Sequence, residues 1–243
     1  MTLIMKHTSS LMTMAVLFGL SLNASAKDDD PLFIGGFQRA DHNSYTFAGV
    51  ITPILGGKLG EGWFNRTIAS WLTYEYDASY NGQPTTLKAK APGIETGFGY
   101  AWQGKSYGIN LSASVGYRDF RLSPNIPDEE PEGKVLVFSP QLQARYDITE
   151  HIETDLIASH AFAKKNAETS FGRLRLGYKP RWDWKFGLEG VYQEGENFRV
   201  KQNGLYLVHY LSSGWGVEVS GGKAESRDNS SSAYFGLGIS KQF

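Results

Sequence analysis

The chain of 243 residues has 28 glycines, 14% aromatic residues, no cysteine and a formal net charge of −1. The absence of cysteine excludes disulfide scaffolds, thiolate zinc sites, iron–sulfur clusters and cysteine nucleophiles. The near-zero net charge argues against general nucleic-acid binding, which needs a basic surface, and no apolar run is long enough for a helix that spans a membrane.

The first 26 residues have the features of a secretory signal peptide. They contain Lys6 near the start, an apolar run over residues 11–22 and the small-residue pattern Ala24-Ser25-Ala26. A basic residue, a short apolar run and an A-x-A site in this order are typical of a signal that is removed during export. We therefore expect a signal peptide over residues 1–26 and a single folded domain over residues 27–243.

Apolar and polar residues alternate through the rest of the chain. Between residues 134 and 148, Leu136 and Phe138 have one parity, and Gln141 and Gln143 have the other. Because a β-strand sends successive side chains to opposite faces, each such segment predicts a strand with one apolar and one polar face. Twelve strands are predicted in this way, near residues 32–40, 44–54, 65–76, 93–102, 106–118, 134–148, 151–162, 170–180, 182–192, 198–211, 214–222 and 232–243.

Two all-β architectures fit this alternation. A soluble sandwich buries its apolar faces, whereas a transmembrane barrel turns them toward lipid and its polar faces toward the lumen. Aromatic residues favour the barrel, because they cluster at the strand ends in two girdles when the N-terminus is placed on the periplasmic side. The first girdle is Tyr100, Trp102, Tyr107, Tyr146, Tyr178, Trp182, Trp184, Tyr210 and Trp215. The second girdle is Tyr74, Tyr76, Tyr117, Tyr192 and Phe198.

Loop lengths and the last strand point the same way. Connections on the first-girdle side are short apart from 55–64, and most of those on the other side are longer, including 77–92 and 119–133, as in outer-membrane barrels. In the last strand Phe235, Leu237, Ile239 and Phe243 share one parity, which Lys241 interrupts. A last strand of this kind that ends on an aromatic residue resembles the terminal assembly signal of such barrels. The predicted fold is therefore a closed antiparallel transmembrane β-barrel of about twelve strands.

Charged residues of both signs share the parity assigned to the lumen. In a closed interior they are expected to pair with one another. Either the barrel is filled or constricted by these pairs, which we favour, or they line a narrow polar path or a groove for a sugar chain. The residues expected to form this lumen network are Trp71, Glu75, Glu95, Arg118, Arg173, Arg175 and Glu189.

Candidate catalytic groups are few. Ser159 and His160 are adjacent, so they point to opposite faces and cannot pair, and His209 has lumen parity without a marked partner. Glu153 and Asp155 share a strand face at a spacing that glycoside hydrolysis permits, but ion pairing is the simpler interpretation. We expect no catalytic residues, no cofactor and no metal. The acidic segment 124–133 is interpreted as a solvated outer loop.

Several short glycine- and aromatic-rich stretches, in this order, give the chain a family resemblance. They are Phe47-Ala48-Gly49-Val50, Tyr74-Glu75-Tyr76-Asp77, Ala91-Pro92-Gly93-Ile94-Glu95-Thr96-Gly97-Phe98-Gly99-Tyr100, Val115-Gly116-Tyr117-Arg118-Asp119, Leu122-Ser123-Pro124, Arg173-Leu174-Arg175-Leu176-Gly177-Tyr178, Gly187-Leu188-Glu189 and Ser232-Ala233-Tyr234. On these stretches the chain resembles the cellulose biosynthesis protein BcsS family over nearly all of residues 27–243. The resemblance implies an outer-membrane location and a link to bacterial cellulose production, and it supplies no catalytic residues.

The sequence thus predicts a non-enzymatic outer-membrane barrel that supports cellulose biosynthesis or secretion. Its expected partners are outer-membrane lipids and, as the resemblance implies, cellulose or other components of cellulose synthesis. We expect no nucleic-acid partner. Two alternatives stay open: a barrel hydrolase that acts on lipid or glucan, which needs a Ser-His-acid cluster or a carboxylate pair, and a narrow porin.

Overall fold

The chain forms one closed β-sheet. The computed structural model describes residues 30–40, 43–80, 83–126, 131–195, 198–226 and 230–243, and of residues 78, 79 and 198 it describes only the backbone. The strands are β1 (Leu32–Ala40), β2 (Asn43–Pro53), β3 (Gly62–Tyr80), β4 (Gln83–Gln103), β5 (Tyr107–Ser123), β6 (Gly133–Asp147), β7 (Ile152–Ala163), β8 (Thr169–Arg181), β9 (Trp184–Gly195), β10 (Phe198–Tyr210), β11 (Trp215–Ser226) and β12 (Ser231–Gln242). The predicted antiparallel barrel of twelve strands is confirmed.

The barrel closes between its first and last strands. The β1–β12 register runs from Leu32 opposite Gln242 to Ala40 opposite Tyr234, and every other strand pairs with its neighbours in sequence. Closure leaves no sheet edge with unpaired N–H and C=O groups, which is the condition for β-structure inside hydrocarbon. We call the end that holds Leu32 and Gln242 the near end, and the opposite end the far end.

No helix among the described residues is long and apolar enough to cross a membrane.

The outer face of the barrel is apolar. Leu136 and Leu205 are 75% and 64% exposed, although both are large aliphatic residues. They belong to a band of outward residues that recurs on successive strands: Ile94, Phe98, Leu111, Val115, Leu136, Phe138, Leu156, Leu174, Leu176, Leu188, Leu205, Val219, Leu237 and Ile239. A water-facing surface rarely exposes so continuous an apolar area, whereas the outer band of a transmembrane barrel does.

Aromatic rings lie along the near end of this band. Trp63 and Tyr100 pack edge to face with ring centroids 5.2 Å apart, and the ring centroids of Tyr100 and Trp102 are 4.7 Å apart.

The connections at the near end have the predicted lengths. Four of them are short, 104–106, 148–151, 182–183 and 211–214, and 54–61 is the longer one.

Three residues assigned to the girdles point into the barrel instead. Tyr74, Tyr76 and Tyr210 are 0%, 5% and 8% exposed, so their predicted outward positions are wrong. The far half of the lumen is lined by apolar side chains that pack on one another, including Ile68 and Leu72. In this part of the barrel, apolar residues therefore lie on the lumen face as well as on the outer face. The alternation of apolar and polar residues alone does not identify which face meets lipid.

Strands β3, β4 and β5 are longer than a membrane requires. They have 19, 21 and 17 residues, and at roughly 3.3 Å per residue a strand of this length extends about 60–70 Å. The predicted loop 77–92 is wrong, because β3 and β4 remain paired as far as Tyr80 opposite Gln83. The overlooked signal is Asn81-Gly82, the dipeptide most typical of a short hairpin. The predicted loop 119–133 is likewise shortened, because β5 continues to Ser123.

Several sequence predictions fall outside the described residues. The predicted signal peptide lies there, as do residues 127–130 of the acidic segment.

The contact between β8 and β9 depends on two glycines that face each other, Gly177 and Gly187. A Cβ atom on Gly187 would lie 1.9 Å from the carbonyl oxygen of Leu176. We predict that Gly187→Ala lowers the free energy of unfolding by about 1–3 kcal/mol, because the two strands must separate to admit the methyl group. Urea unfolding of the refolded protein, followed by circular dichroism, measures this.

The matched control is Gly190→Ala in the same strand. There the nearest atom to an added Cβ is Asn203 Oδ1 at 3.8 Å, an ordinary contact. Equal unfolding midpoints for Gly187→Ala and the unmodified protein would contradict the close approach of β8 and β9.

Candidate functional site

One polar cluster in the lumen surrounds Arg175 of β8. This guanidinium is 1% exposed; its Nε donates to Glu189 Oε2 at 2.8 Å, and its Nη1 and Nη2 donate to the two oxygens of Glu218 at 2.9 and 2.6 Å. Glu189 also accepts a hydrogen bond from Tyr234 Oη at 2.9 Å, and the guanidinium lies 4.3 Å from the ring centroid of Tyr206. We call these five residues the Arg175 cluster.

The Arg175 cluster joins strands that are not neighbours in the barrel wall. Arg175 lies on β8 and Glu218 on β11, so their bond passes over two intervening strands. Arg175 binds Glu218 in a bidentate ion pair, in which two N–H groups donate to the two oxygens of one carboxylate. Such charge-assisted pairs are among the stronger hydrogen bonds in proteins. The cluster therefore connects five consecutive strands of the wall, β8 to β12, from the inside.

A second cluster, nearer the near end, is built on Lys185 of β9. Lys185 Nζ donates to Glu153 Oε1 at 2.7 Å and to Asp155 Oδ2 at 3.4 Å. Lys179 forms ion pairs with Glu153 at 3.0 Å and with Asp147 at 2.8 Å. Both members of the candidate carboxylate pair, Glu153 and Asp155, are thus neutralised by buried lysine. This arrangement serves ion pairing and leaves neither carboxylate poised as a catalytic acid.

A third cluster is centred on Arg66 of β3, on the wall opposite β8 and β9. Its guanidinium donates to Glu95 at 3.2 Å, to Ser114 Oγ at 3.0 Å and to Gln141 Oε1. A cavity of about 60 Å³ adjoins it, and Arg118 lines the same cavity. The Arg66–Gln141 bond also passes over two strands, so the interior is bridged on both sides.

Five of the seven predicted lumen residues point inward: Glu95, Arg118, Arg173, Arg175 and Glu189. Arg175 and Glu189 are bonded to each other, with Arg173 on the same face of β8, while Glu95 and Arg118 lie on β4 and β5 by the Arg66 cluster. The structure thus divides the predicted set between two walls.

Trp71 and Glu75 lie on the outer face, so their prediction as lumen residues is wrong. Their strand neighbours Leu72 and Tyr74 are 1% and 0% exposed inside the barrel, whereas Trp71 is 48% exposed. Glu75 forms an ion pair with Lys88 at 3.0 Å on the outward face of the long β3–β4 hairpin. The cause is the parity of β3, where the apolar set faces the far-end core.

Arg66, Tyr206 and Tyr234 are the principal lumen residues that sequence reasoning missed. Arg66 shares its parity with Tyr74 and Tyr76, which the sequence analysis places in the second girdle. Tyr206 belongs to β10, where both parities mix polar and apolar residues. The same ambiguity makes the lumen position predicted for His209 wrong: Tyr206, Val208 and Tyr210 are the buried residues there, and His209 stacks on Trp184 at 4.1 Å.

Among the residues that the structure describes, one histidine is hydrogen-bonded to a serine, and the two are not adjacent in sequence. His160 Nδ1 lies 2.9 Å from Ser170 Oγ on the outer face near the far end, whereas Ser159 lines the interior cavity. Glu194 is opposite Ser170 on β9. In the described part of the chain, no carboxylate is hydrogen-bonded to the His160 ring, so the pair lacks the group that orients the histidine in a catalytic triad.

Within the described ranges, no group of three or more His, Asp or Glu side chains is arranged to hold a metal ion.

Solved structures similar to this chain are outer-membrane barrels. The KdgM porin in complex with disordered oligogalacturonate is 12% identical, with a TM-score of 0.55 over 87% of this chain and 99% of the porin. The translocator domain of the autotransporter NalP from Neisseria meningitidis is 14% identical, with a TM-score of 0.54 over 93% and 91%. LpxR from Salmonella typhimurium is 8% identical, with a TM-score of 0.51 over 88% and 100%. At these identities the likeness concerns the fold alone.

The sequence itself matches none of the curated proteins. It does match the family model described as cellulose biosynthesis protein BcsS, over residues 32–243. That range begins with β1 and includes all twelve strands. The chain therefore belongs to the cellulose biosynthesis protein BcsS family.

Proposed function

We propose that this chain is a non-enzymatic barrel of the bacterial outer membrane that supports cellulose biosynthesis or secretion. The observation that carries the proposal is the family match, which covers the whole barrel. The apolar outer band, the aromatic rings at the near end and the predicted signal peptide over residues 1–26 support the outer-membrane location.

The lumen supports a role in docking or assembly. Several hydrogen bonds bridge strands that are not neighbours, among them Arg175 with Glu218, Arg66 with Gln141, and Gln38 with Gln202 at 2.9 Å. Such bonds fill space that a wide conduit would leave open. The KdgM porin was solved with oligogalacturonate, which supports a saccharide as a molecule that a barrel of this fold encounters. We infer that the protein contacts cellulose or the cellulose-synthesis machinery.

Removal of the gene from its host tests this function. We predict that cell-surface cellulose, measured by Congo red or calcofluor binding, falls several-fold and is restored by the unmodified gene. Uptake of small hydrophilic solutes should stay unchanged, because the bridged lumen is not a general diffusion path. Unchanged cellulose would contradict the proposal, and a parallel loss of solute uptake would favour the narrow porin.

We further propose that the lumen clusters are structural. Arg175→Met leaves Glu189 and Glu218 buried without their counter-ion, and we predict a loss of about 3–5 kcal/mol in the free energy of unfolding. Thermal and urea unfolding of the refolded protein measure the loss. The triple variant Arg175→Met/Glu189→Gln/Glu218→Gln should recover part of it, because the two carboxylate charges are then removed together with their guanidinium partner.

Arg121→Met is the matched control. Arg121 is 68% exposed and pairs with Asp119 at 2.7 Å on the outer face, so its loss should cost less than about 1 kcal/mol. If Arg175→Met keeps full stability while cellulose on the cell surface declines, the Arg175 cluster serves the function directly and the structural role is wrong.

The second candidate function is hydrolysis of a lipid or glucan ester, and the His160–Ser170 pair is the observation that favours it. The pair faces an open groove near the far end of the outer face, lined also by Lys165 and Glu194. A serine beside a histidine base is the starting arrangement of acyl-transfer chemistry. The missing orienting carboxylate argues against it, so we retain the non-enzymatic function.

A fluorophosphonate probe separates the two functions. We predict no covalent labelling of the folded barrel, because a histidine without an orienting partner activates serine weakly. A serine hydrolase labelled in the same detergent shows that the probe is active. Labelling that disappears in both Ser170→Ala and His160→Ala would overturn the non-enzymatic function.

A further inference from the structure

Arg173, two residues before Arg175, differs from every other cation of the lumen clusters. Its side chain points inward and is 2% exposed. None of its three guanidinium nitrogens has a hydrogen-bond partner among the described residues. A guanidinium carries five N–H donors and no acceptor, so these donors are buried without an acceptor from the wall.

The nearby carboxylates are already engaged. Glu189 and Glu218 are held by Arg175 through three hydrogen bonds, and Asp155 is held by Lys185. Rotation of one of these acids toward Arg173 would break a hydrogen bond to another buried cation. The protein itself therefore offers no free counter-ion for Arg173 within the clusters described above.

Two more unpaired donors lie beside Arg173. Val191 of β9 is opposite Arg173 on one side and opposite Gln202 of β10 on the other, and Gln193 is the next inward residue of β9. The Nε2 atoms of Gln193 and Gln202 have no partner in the described part of the chain. Both glutamines are almost fully buried, at 2% and 1% exposure. Gln202 uses its Oε1 to accept from Gln38.

Three adjacent strands thus each present unpaired N–H donors to one region of the lumen. A buried donor without an acceptor costs free energy, and a cluster of such donors is complemented by a group that accepts. The planar fork of arginine suits an oxyanion, which it binds through two parallel N–H contacts. Close packing around these side chains limits the occupant to a small group.

We propose that Arg173, Gln193 and Gln202 form a lumenal binding site for a small oxyanion, either a free inorganic anion or the acidic group of a glycan. The site is independent of the role in cellulose production, since it follows from the unpaired donors alone. It is distinct from the Arg175 cluster, whose guanidinium is hydrogen-bonded to two carboxylates.

The test is the thermal unfolding midpoint of the refolded full barrel at constant ionic strength. Titration with sodium phosphate should raise the midpoint, by roughly 5–10 °C at a concentration 100 times the dissociation constant. Arg173→Met should abolish this dependence. Lys201→Met removes an exposed cation from the outward face of β10, next to Gln202, and should leave the dependence intact.

Gln193→Met keeps the guanidinium and removes one donor, so it should weaken the apparent affinity for phosphate several-fold even if Arg173→Met does not fold. Titration with glucuronate distinguishes the two sources: a rise in midpoint assigns the site to a glycan carboxylate as well, and no rise assigns it to inorganic anions. A midpoint of the unmodified barrel that does not respond to either anion would overturn the proposal. So would a phosphate dependence that persists unchanged in Arg173→Met.

Discussion

Every strand of this barrel has a hydrogen-bonded neighbour on both sides, and the pairing of β1 with β12 completes the ring. Because closure satisfies the backbone within the sheet, the outer face is free to be apolar and the chain can occupy hydrocarbon. Closure also creates an enclosed interior. Any charge placed there leaves water behind, so it must find a partner inside the barrel.

The interior meets this requirement in different ways along its length. Toward the far end, Leu72 and Leu87 are buried in an apolar core. Further along, Arg175 and Lys185 are each held by two carboxylates. Most of these bonds join strands that are not neighbours, so the side chains that neutralise one another also hold distant parts of the wall together. The same ion pairs therefore stabilise the barrel and fill its lumen.

Arg173 departs from this pattern. Arg66, Arg175 and Lys185, which are buried in the same lumen, each donate a hydrogen bond to a carboxylate. A guanidinium with three unpartnered nitrogens therefore has little structural reason to be there. Unsatisfied buried groups are more often found where something binds or moves. The contrast between Arg173 and Arg175, two residues apart on one strand face, is the clearest separation of a ligand-directed group from a structural one in this lumen.

The sequence alone determined the class, number and order of the strands, because an alternation of period two depends only on local residue types. It also identified charges on β4, β5, β8 and β9 that point inward. Their partners could not be inferred: Arg175 meets Glu218, 43 residues away, only because closure brings β8 and β11 across the same interior.

The two faces of β3 and β10 were decided by tertiary structure. Trp71 and His209 lie outside, and Tyr74 and Tyr206 inside, because the far-end core and the tyrosines of the Arg175 cluster make the lumen partly apolar. Alternation separates the two faces of a strand but does not say which one meets lipid. That choice depends on what the other eleven strands place opposite, and it is settled only when the barrel closes.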